Sequence, residues 1–372
     1  MIKATIPAFS ASLLLLVASW LNAADPLKRP AAGRRSAANR SSAASTGTGI
    51  VAPGARLERL FTRTVDLEGG LTEGAAVAPD GSIYFSDIRR GENHGVIHRF
   101  DPTSGTTTVF AEDSGKSNGL IFSSDGSLLA CEGADHGGRR VSRWNVDTKE
   151  RVTVTDNFQG GHFNSPNDLC LDAHGRIYFS DPRYLGHEAR ELDNQAVYRV
   201  DPDGSVHEAT REVSKPNGLA ISPDGNTLYV ADHDNGTDLI DPAAPAPRLG
   251  NMKIYAFRVE PSDGSVHDRR TLLDFGDRAG CDGMTVDEKG NIYLTARDPS
   301  RPGVMVINPE GREVAFISTR SLHTNVQPGG LPSNVEFGLG EESHVLYVTV
   351  DTSLYRIPLL VDGYHRQYSA PR

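Results

Sequence analysis

A turn followed by a β-type run recurs six times along the chain, and this repetition constrains the fold more than any other feature of the sequence. The copies are APDGSIYFSD (78–87), SSDGSLLACE (123–132), DAHGRIYFSD (172–181), SPDGNTLYVAD (222–232), DEKGNIYLTA (287–296) and a degenerate sixth, GEESHVLYVTVD (340–351). In each copy apolar residues alternate behind an Asp-Gly type of turn, which is typical of a hairpin entering a strand. The repeats therefore predict an all-β protein.

A second segment follows each repeat and completes a unit of roughly 50 residues. These segments are HRFDP at 98, SRWNV at 142, YRVDP at 198, YAFRV at 255, VMVIN at 304 and LYRIP at 354. With a fourth and more variable strand, such as HEATREV or HDRRTLLDF, every unit becomes a four-stranded sheet. Six such sheets in succession predict a six-bladed β-propeller over residues 57–364.

The first and last units indicate how the ring closes. The last unit ends near residues 358–360 with only three strands, whereas LERLFTRTVD (57–66) is a spare strand before the first unit. This N-terminal strand is predicted to close the last blade, which protects sheet edges that would otherwise be exposed. A β-sandwich or a solenoid explains neither the missing strand nor the spare one.

The N-terminus has the layout of a secretory signal peptide, predicted over residues 1–24. Lys3 precedes an apolar stretch at residues 6–20, and small residues follow at Ala23 and Ala24. The apolar part is shorter than the ~20 residues of a membrane-spanning helix, so no membrane span is expected. We expect a secreted or periplasmic protein, with a disordered linker at residues 25–56 and a C-terminal tail at 365–372.

Charge and cysteine content restrict the possible partners. The chain carries −10 overall, and because residues 1–56 carry +6, residues 57–372 carry −16. Nucleic acid is therefore not an expected partner, since its binding depends on Lys and Arg. Cys131, Cys170 and Cys281 each lie in or beside an apolar run, so three buried thiols are expected rather than a disulfide.

One oxygen-bearing residue recurs eight positions before each turn glycine, or before its substitute Glu342. These residues are Glu73, Asn118, Asn167, Asn217, Asp282 and Asn334. Because the first strand of a propeller blade lines the central channel, their side chains should form a ring. Six converging oxygens suit Ca²⁺, whereas Mg²⁺ keeps more of its water and Zn²⁺ prefers His and Cys, which the ring lacks. The alternative is that these residues merely form turns before strands.

At these residues the chain resembles the gluconolactonase, regucalcin and lactonase family of calcium-binding propellers. The resemblance covers residues 66–358 and rests on LTEGAAVAPDGSIYFSDI, SPNDLCLDAHGRIYFSDPRY, KPNGLAISPDG and CDGMTVDEKGNIY. It implies Glu73, Asn167, Asn217 and Asp282 as metal ligands, with Asp282 also the acid/base. It further implies Asn118, Asn167 and Asn334 as groups near the substrate. Some relatives have an Arg where this chain has Ser165, so the substrate can differ.

The expected reaction is the hydrolysis of a sugar-type lactone to its hydroxy acid, with the cation acting on the carbonyl. With the cation acting on the carbonyl no Ser nucleophile is needed, so an α/β-hydrolase triad is not expected. A cation lowers the basicity of Asp282, so a His is the better base, with His136, His162 and His233 as candidates. We assign the role to His136.

Further polar residues end the second strands. Glu132 and Arg183 are predicted to bind substrate, and Asp181 and Asp232 occupy similar positions; the alternative for all four is capping of loops. Arg139 and Arg140 could contact an anionic product but more simply pair with surface acids. The alternative function is a secreted, non-catalytic propeller that binds a sugar or protein ligand around a structural calcium ion.

Overall fold

A computed structural model describes residues 45–47, 49–64, 70–238, 240, 248–320, 322 and 329–369. The predicted signal peptide and residues 25–44 of the predicted linker lie outside the described residues. Within them, no helix is long and apolar enough to cross a membrane.

The described strands form six four-stranded antiparallel sheets, as the repeats predict. Blade 1 contains β2 (Leu71–Val77), β3 (Ile83–Ile88), β4 (Val96–Asp101) and β5 (Thr106–Ala111). Blade 2 contains β6 (Ser117–Phe122), β7 (Leu128–Glu132), β8 (Arg140–Trp144) and β9 (Arg151–Thr155). A small hairpin, β10 (Asn157–Phe158) and β11 (Gly161–His162), precedes blade 3. Blade 3 contains β12 (Leu169–Leu171), β13 (Ile177–Ser180), β14 (Val197–Val200) and β15 (Val206–Thr210).

The second half of the ring repeats this order. Blade 4 contains β16 (Pro216–Ile221), β17 (Thr227–His233), β18 (Met252–Val259) and β19 (Val266–Asp274). Blade 5 contains β20 (Cys281–Val286), β21 (Ile292–Ala296), β22 (Gly303–Ile307) and β23 (Glu313–Ser318). Blade 6 contains β24 (Pro332–Phe337), β25 (Val345–Val350), β26 (Ser353–Pro358) and β1 (Glu58–Thr62). Two short 3₁₀ helices span Gly340–Glu342 and Arg366–Tyr368.

The Asp-Gly turns adopt the geometry that their sequence predicts. In blade 1, Asp80 Oδ1 accepts a hydrogen bond from the backbone N–H of Ser82 at 2.9 Å. Gly81 lies at φ +83°, in the left-handed region that favours glycine. Each turn thereby fixes the register between the first and second strands of its blade.

The ring closes as predicted. β1 pairs antiparallel with β26, with Glu58 opposite Arg356 and Thr62 opposite Ser353. Apolar side chains then pack from blade to blade: Phe85 and Phe100 of blade 1 lie with Tyr347 and Leu354 of blade 6. The N-terminal strand thus joins the last blade to the first.

Part of the predicted linker is packed rather than disordered. Thr46 exchanges two backbone hydrogen bonds with Phe316 of β23, at 2.8 and 3.0 Å. Ile50 and Val51 are buried with apolar residues of blades 5 and 6. These contacts depart from the disordered linker predicted for residues 25–56, because Ile50 and Val51 supply an apolar anchor that this polar segment otherwise lacks.

Residues 365–369 are not a separate tail. His365 Nε2 donates to the carbonyl of Gly338 at 3.0 Å, Arg366 Nη2 to that of Pro223 at 2.7 Å, and the Tyr368 hydroxyl to that of Val77 at 2.9 Å. These carbonyls belong to blades 6, 4 and 1, so the segment crosses the channel at the end where the first strands finish. Residues 364–367 close a channel cavity of about 70 Å³ there.

The three cysteines are buried free thiols, as expected from their apolar neighbours.

Candidate metal centre and substrate site

The ring residues of neighbouring blades lie against one another at the start of the first strands. The glycine after one ring residue touches the next ring residue, so that a methyl group there would overlap it. These contacts join Gly74 to Asn118, Gly119 to Asn167, Gly218 to Asp282 and Gly283 to Asn334. Glycine is required because the first strands converge at the channel, where a Cβ does not fit.

Two hydrogen bonds complete the ring at its remaining junctions. The Asp168 Oδ2 of blade 3 accepts from the backbone N–H of Leu219 in blade 4 at 3.1 Å. The Ser333 hydroxyl of blade 6 donates to the Thr72 carbonyl of blade 1 at 2.6 Å. All six predicted positions are therefore neighbours around one channel, as the repeat spacing predicts.

Two of the ring residues are carboxylates that influence each other. Glu73 is 4% exposed, and the one hydrogen bond that its side chain accepts within the described residues comes from the N–H of Gly74 at 3.3 Å. Burial, and then the nearby Asp282 carboxylate, raise the pKa of Glu73 well above its ordinary value, although Arg297 opposes the shift. Asp282 is paired with Arg297, whose Nη1 lies 3.0 Å from Oδ2. The negative charge of Glu73 has no salt-bridge partner of its own among the described residues.

Three of the four ring amides, those of Asn118, Asn167 and Asn217, offer an oxygen atom without a competing hydrogen bond from the described residues. Asn217 Nδ2 donates to the hydroxyl of Tyr184 at 3.0 Å, which fixes the amide and leaves Oδ1 available. Within the described part of the chain, the side chains of Asn118 and Asn167 make no hydrogen bond, whereas Asn334 Oδ1 accepts from the N–H of Val335 at 2.8 Å. Asn334 is thus the most constrained of the four amides.

These residues fit a hard divalent cation. A buried carboxylate without a cationic partner is unfavourable, and a bound cation removes that penalty. The donors are two carboxylates and oriented amides, which is the oxygen set that Ca²⁺ takes, and no ring residue is a His or Cys. We identify Glu73, Asn167, Asn217 and Asp282 as the residues that would hold it.

Asp168, directly after Asn167, is a channel residue that sequence reasoning missed. It stands where four other repeats have glycine, and its carboxylate caps the N–H groups of Leu169 and Leu219. Burial raises the pKa of Asp168 to about 7, and the Asp282 carboxylate adds to the shift. The sequence signal that could have identified Asp168 is its departure from the glycine that follows most of the other ring residues.

His233, at the end of β17, is the candidate histidine near the ring. Its Nδ1 donates to the carbonyl of Cys281 at 3.0 Å, and because a carbonyl only accepts, Nε2 is left unprotonated in the neutral ring. Nε2 makes no hydrogen bond within the described residues. Burial lowers the pKa of His233, while the neighbouring Asp282 opposes the shift.

Arg297 is the second residue that sequence reasoning missed. It directly follows β21, one position after the acids that end second strands in other blades. Its side chain is 13% exposed, and Nη1 binds both Asp282 and the Pro332 carbonyl, at 3.0 Å each. Nε and Nη2 make no hydrogen bond or ion pair with the described residues, which leaves two donor nitrogens for a ligand.

The predicted substrate residues Glu132 and Arg183 are fully buried at their side chains. Glu132 pairs with Arg140, Oε2 to Nε, at 2.8 Å, and Arg183 Nη1 lies 3.2 Å from Glu188 Oε2. Neither side chain is able to touch a substrate in this conformation. Their location instead supports the alternative that they hold loops together.

His136 is exposed and belongs to a different cluster. Its ring lies 4.2 Å from the ring of His187, and no described contact joins it to a ring residue. His162 is also exposed, with its backbone N–H bonded to Glu191. Of the three candidate bases, only His233 lies beside Asp282, so the structure does not support our choice of His136.

Asp181 and Asp232 cap loops. Asp181 accepts from the N–H groups of Asn164 and Ser165 at 2.8 and 2.7 Å, and Asp232 from those of Ser214 and Lys215 at 3.0 and 2.9 Å. Burial raises the pKa of Asp181 to about 7. Each acid fixes the loop that leads into the first strand of its own blade.

Arg139 and Arg140 pair with acids, which is the simpler of the two roles predicted for them. Arg139 lies 3.2 Å from Glu191, and Arg140 binds Glu132.

Comparison with known proteins adds a family match. The family model described as "SMP-30/Gluconolactonase/LRE-like region" matches residues 71–352, which is most of the chain. A gluconolactonase of Zymomonas mobilis is 31% identical over 253 residues, which cover 65% of this chain and 62% of that relative. The chain therefore spans less than two thirds of the relative's length.

Two solved structures share the architecture. A gluconolactonase from Xanthomonas campestris has a TM-score of 0.68 and 26% identity, with coverage of 86% of this chain and 95% of the other. A calcium-binding regucalcin from Agrobacterium tumefaciens has a TM-score of 0.62 and 18% identity, covering 84% of this chain and 95% of that one. The latter likeness bears on the fold alone.

Proposed function

The chain belongs to the SMP-30/gluconolactonase/LRE-like family, and from this premise we propose that it hydrolyses a sugar-type lactone to its hydroxy acid. The observation that carries the proposal is the buried Glu73 carboxylate beside Asp282, at the point where the six blades meet. Names of relatives, including the gluconolactonases of Zymomonas mobilis and Xanthomonas campestris, support the same reaction.

The site needs a cation to balance these carboxylates, and we infer Ca²⁺ held by Glu73, Asn167, Asn217 and Asp282. When bound, such a cation polarises a lactone carbonyl and stabilises the negative charge that develops on its oxygen. Tyr184 supports this set, because its hydroxyl keeps the Asn217 amide in one orientation.

His233 is the group that we assign to proton transfer. Its Nδ1–H is tied to Cys281, so Nε2 is the basic atom, and its lowered pKa keeps the ring neutral in mildly acidic solution. Nε2 takes a proton from the attacking water, whose oxygen bonds to the carbonyl carbon. The ring C–O bond then breaks, and the proton goes to the leaving oxygen to give the hydroxyl of the product.

Arg297 is the residue that we assign to substrate binding. Nη1 is already engaged, so Nε and Nη2 remain to donate to sugar hydroxyls or to the carboxylate of the product. The amide of Asn118, which makes no side-chain hydrogen bond within the described residues, offers a further polar contact at the ring, while Asn334 is held by its own backbone bond. Arg297 supplies a cationic group in a chain that has Ser165 where some relatives carry an Arg.

The test is turnover of δ-gluconolactone and a panel of other lactones, before and after chelation. We expect activity that chelation abolishes and Ca²⁺ restores. Asp282→Ala should lose turnover and remain folded, while Asp277→Ala, which removes an exposed acid five residues away, should keep it. Full activity in Asp282→Ala contradicts the proposal.

The alternative is a propeller that binds a sugar or protein ligand around a structural ion. Tight, calcium-dependent binding of a sugar lactone without any product would favour that alternative.

We also propose that the chain is exported after removal of residues 1–24. N-terminal sequencing of the mature protein tests this, and an intact Met1 would contradict it.

A further inference from the structure

A group of metal-ligating side chains lies apart from the ring, on two loops at the ends of blades 2 and 3. Asp135 and His136 lie between β7 and β8, and His187 lies between β13 and β14. One carboxylate oxygen and one nitrogen from each imidazole all lie within 4.8 Å of one another. His187 Nδ1 is 3.5 Å from Asp135 Oδ1, and the two imidazole rings are 4.2 Å apart. No step in the proposed hydrolysis uses these residues.

The backbone under this group is held in an unusual conformation. Asp135 and His136 lie at φ +64° and +70°, in the left-handed region that is unfavourable for a non-glycine residue. The Glu188 carboxylate accepts from both of their N–H groups, at 3.0 and 3.1 Å. Glu188 therefore holds the two loops in the arrangement that brings His136 and His187 together.

We propose that Asp135, His136 and His187 form a second metal site, specific for a Zn²⁺-type transition metal. Two imidazoles and a carboxylate are ligands that zinc takes, and they differ in kind from the oxygen donors of the ring. Bonds of about 2.1 Å in tetrahedral geometry put ligand atoms about 3.4 Å apart. The Asp135–His187 pair is already at that spacing, and exposed His136 needs only a side-chain adjustment.

The charges around the group are compatible with a cation. Lys116 Nζ binds Asp135 at Oδ2, 3.3 Å away, which leaves Oδ1 facing His187. Glu188 Oε2 lies 3.9 Å from His187 Nδ1 and carries a second negative charge, which it shares with Arg183 at 3.2 Å. The exposed edges of both imidazoles give the ion a path from solvent and leave its fourth position open to water.

Metal at this site would clamp one loop to the other. The loop at residues 181–196 carries His187 and also Tyr184, whose hydroxyl contacts Asn217 and the His233 carbonyl. Binding would therefore immobilise the segment that reaches from the rim to the ring.

The experiment is a Zn²⁺ titration of the full, calcium-loaded protein without a polyhistidine tag, followed by calorimetry and by visible absorption with Co²⁺. We expect one equivalent to bind, to give the absorption of His-ligated Co²⁺ and to raise Tm. His187→Ala and His136→Asn should each weaken binding by at least about tenfold, because even indirect contacts to a metal contribute that much. Asn at 136 tolerates the left-handed backbone, so this variant should fold.

His207→Ala removes an exposed His from blade 3 and should bind Zn²⁺ as the wild type does. Glu73→Gln, which alters only the ring, should also keep the Zn²⁺ equivalent, so this site and the proposed lactonase site are tested separately. The proposal is overturned if the wild type takes up no Zn²⁺ or Co²⁺, or if His187→Ala binds as tightly as the wild type.

Discussion

Replacing Glu73 by Gln should stabilise the metal-free protein and remove its response to calcium. The substitution keeps the size of the side chain and deletes a buried negative charge that lies beside Asp282. The raised pKa means that the folded state binds a proton more tightly than the unfolded state. The metal-free wild type should therefore lose stability as pH rises from the ordinary pKa of 4.5 through the higher pKa of the folded state.

The size of the calcium response follows from linkage. At a free calcium concentration 100 times Kd, binding stabilises the folded state by about 2.7 kcal/mol. A folded body of roughly 300 residues has an unfolding entropy of about 0.65 kcal/mol/K, so Tm should rise by about 4 °C. Glu73→Gln should show a rise of less than about 1 °C at the same concentration, because it lacks one of the two charges that attract the ion.

The assay is thermal unfolding of both proteins at pH 8 and at pH 5, with chelator and with calcium. With chelator at pH 8 the variant should unfold at a higher temperature than the wild type, and this advantage should shrink at pH 5 as Glu73 becomes protonated. The control Glu112→Gln, which removes an exposed charge, should have the same Tm as the wild type at both pH values, with chelator and with calcium.

Two results would refute this reasoning. An undiminished calcium response in Glu73→Gln would mean that the carboxylate is not a ligand. A lower Tm with chelator at pH 8 would mean that the buried charge is compensated within the fold.

Three further substitutions test the site. His233→Gln should lower kcat by about 100-fold and leave the calcium-induced rise in Tm intact; loss of that rise would indicate a structural role for His233. In the wild type, the plateau of the pH-rate profile should extend below pH 6.5, because burial lowers the pKa of His233. Arg297→Met should raise KM for the best lactone by about tenfold, as expected for one charge-assisted hydrogen bond, without weakening calcium binding; an unchanged KM would argue against substrate contact. Gly119→Ala should lower stability by about 1–3 kcal/mol and weaken calcium binding, since its methyl overlaps the Asn167 carbonyl. Gly280→Ala, whose methyl meets only Met252, with the flexible Sδ nearest at 3.2 Å, should do neither. Equal calcium affinities of the two variants in calorimetric titrations would contradict the close approach.

The architecture and the ring were predictable because both repeat. A turn glycine at a fixed place in each unit defines the strands, and counting back from it locates residues at equal depth in every blade. Glu73 and Asp282 could be identified in this way without any knowledge of loop structure. The spare strand at residues 57–66 predicted closure for the same reason.

Residues outside the repeat were harder to predict. Tyr184 reaches the ring from a loop between β13 and β14, and loop paths do not follow from strand spacing. His136 follows the second strand of its blade and His233 ends the second strand of another, so spacing could not choose between them; burial beside Asp282 does. Arg297 was missed because it lies one position beyond the acids that end the other second strands.

The packed segments at the two chain ends also lacked a repeat signal. Ile50 and Val51 are a pair of apolar residues in a polar stretch, too short to predict a strand. The segment at 365–369 is held mainly by bonds to carbonyls of three separate blades, which only the closed ring brings together.

The pairing of β1 with β26 has a consequence for synthesis. Blade 6 draws one strand from the beginning of the chain and three from its end, so no partly translated chain is able to finish the circle. Until residue 358 has left the ribosome, the outer strand of the last sheet has nothing to pair with, and blades 1 and 5 each present an uncovered face. The molecule is therefore expected to fold in a late, concerted event, and a truncation that removes β1 or β26 should prevent that event rather than merely shorten the protein.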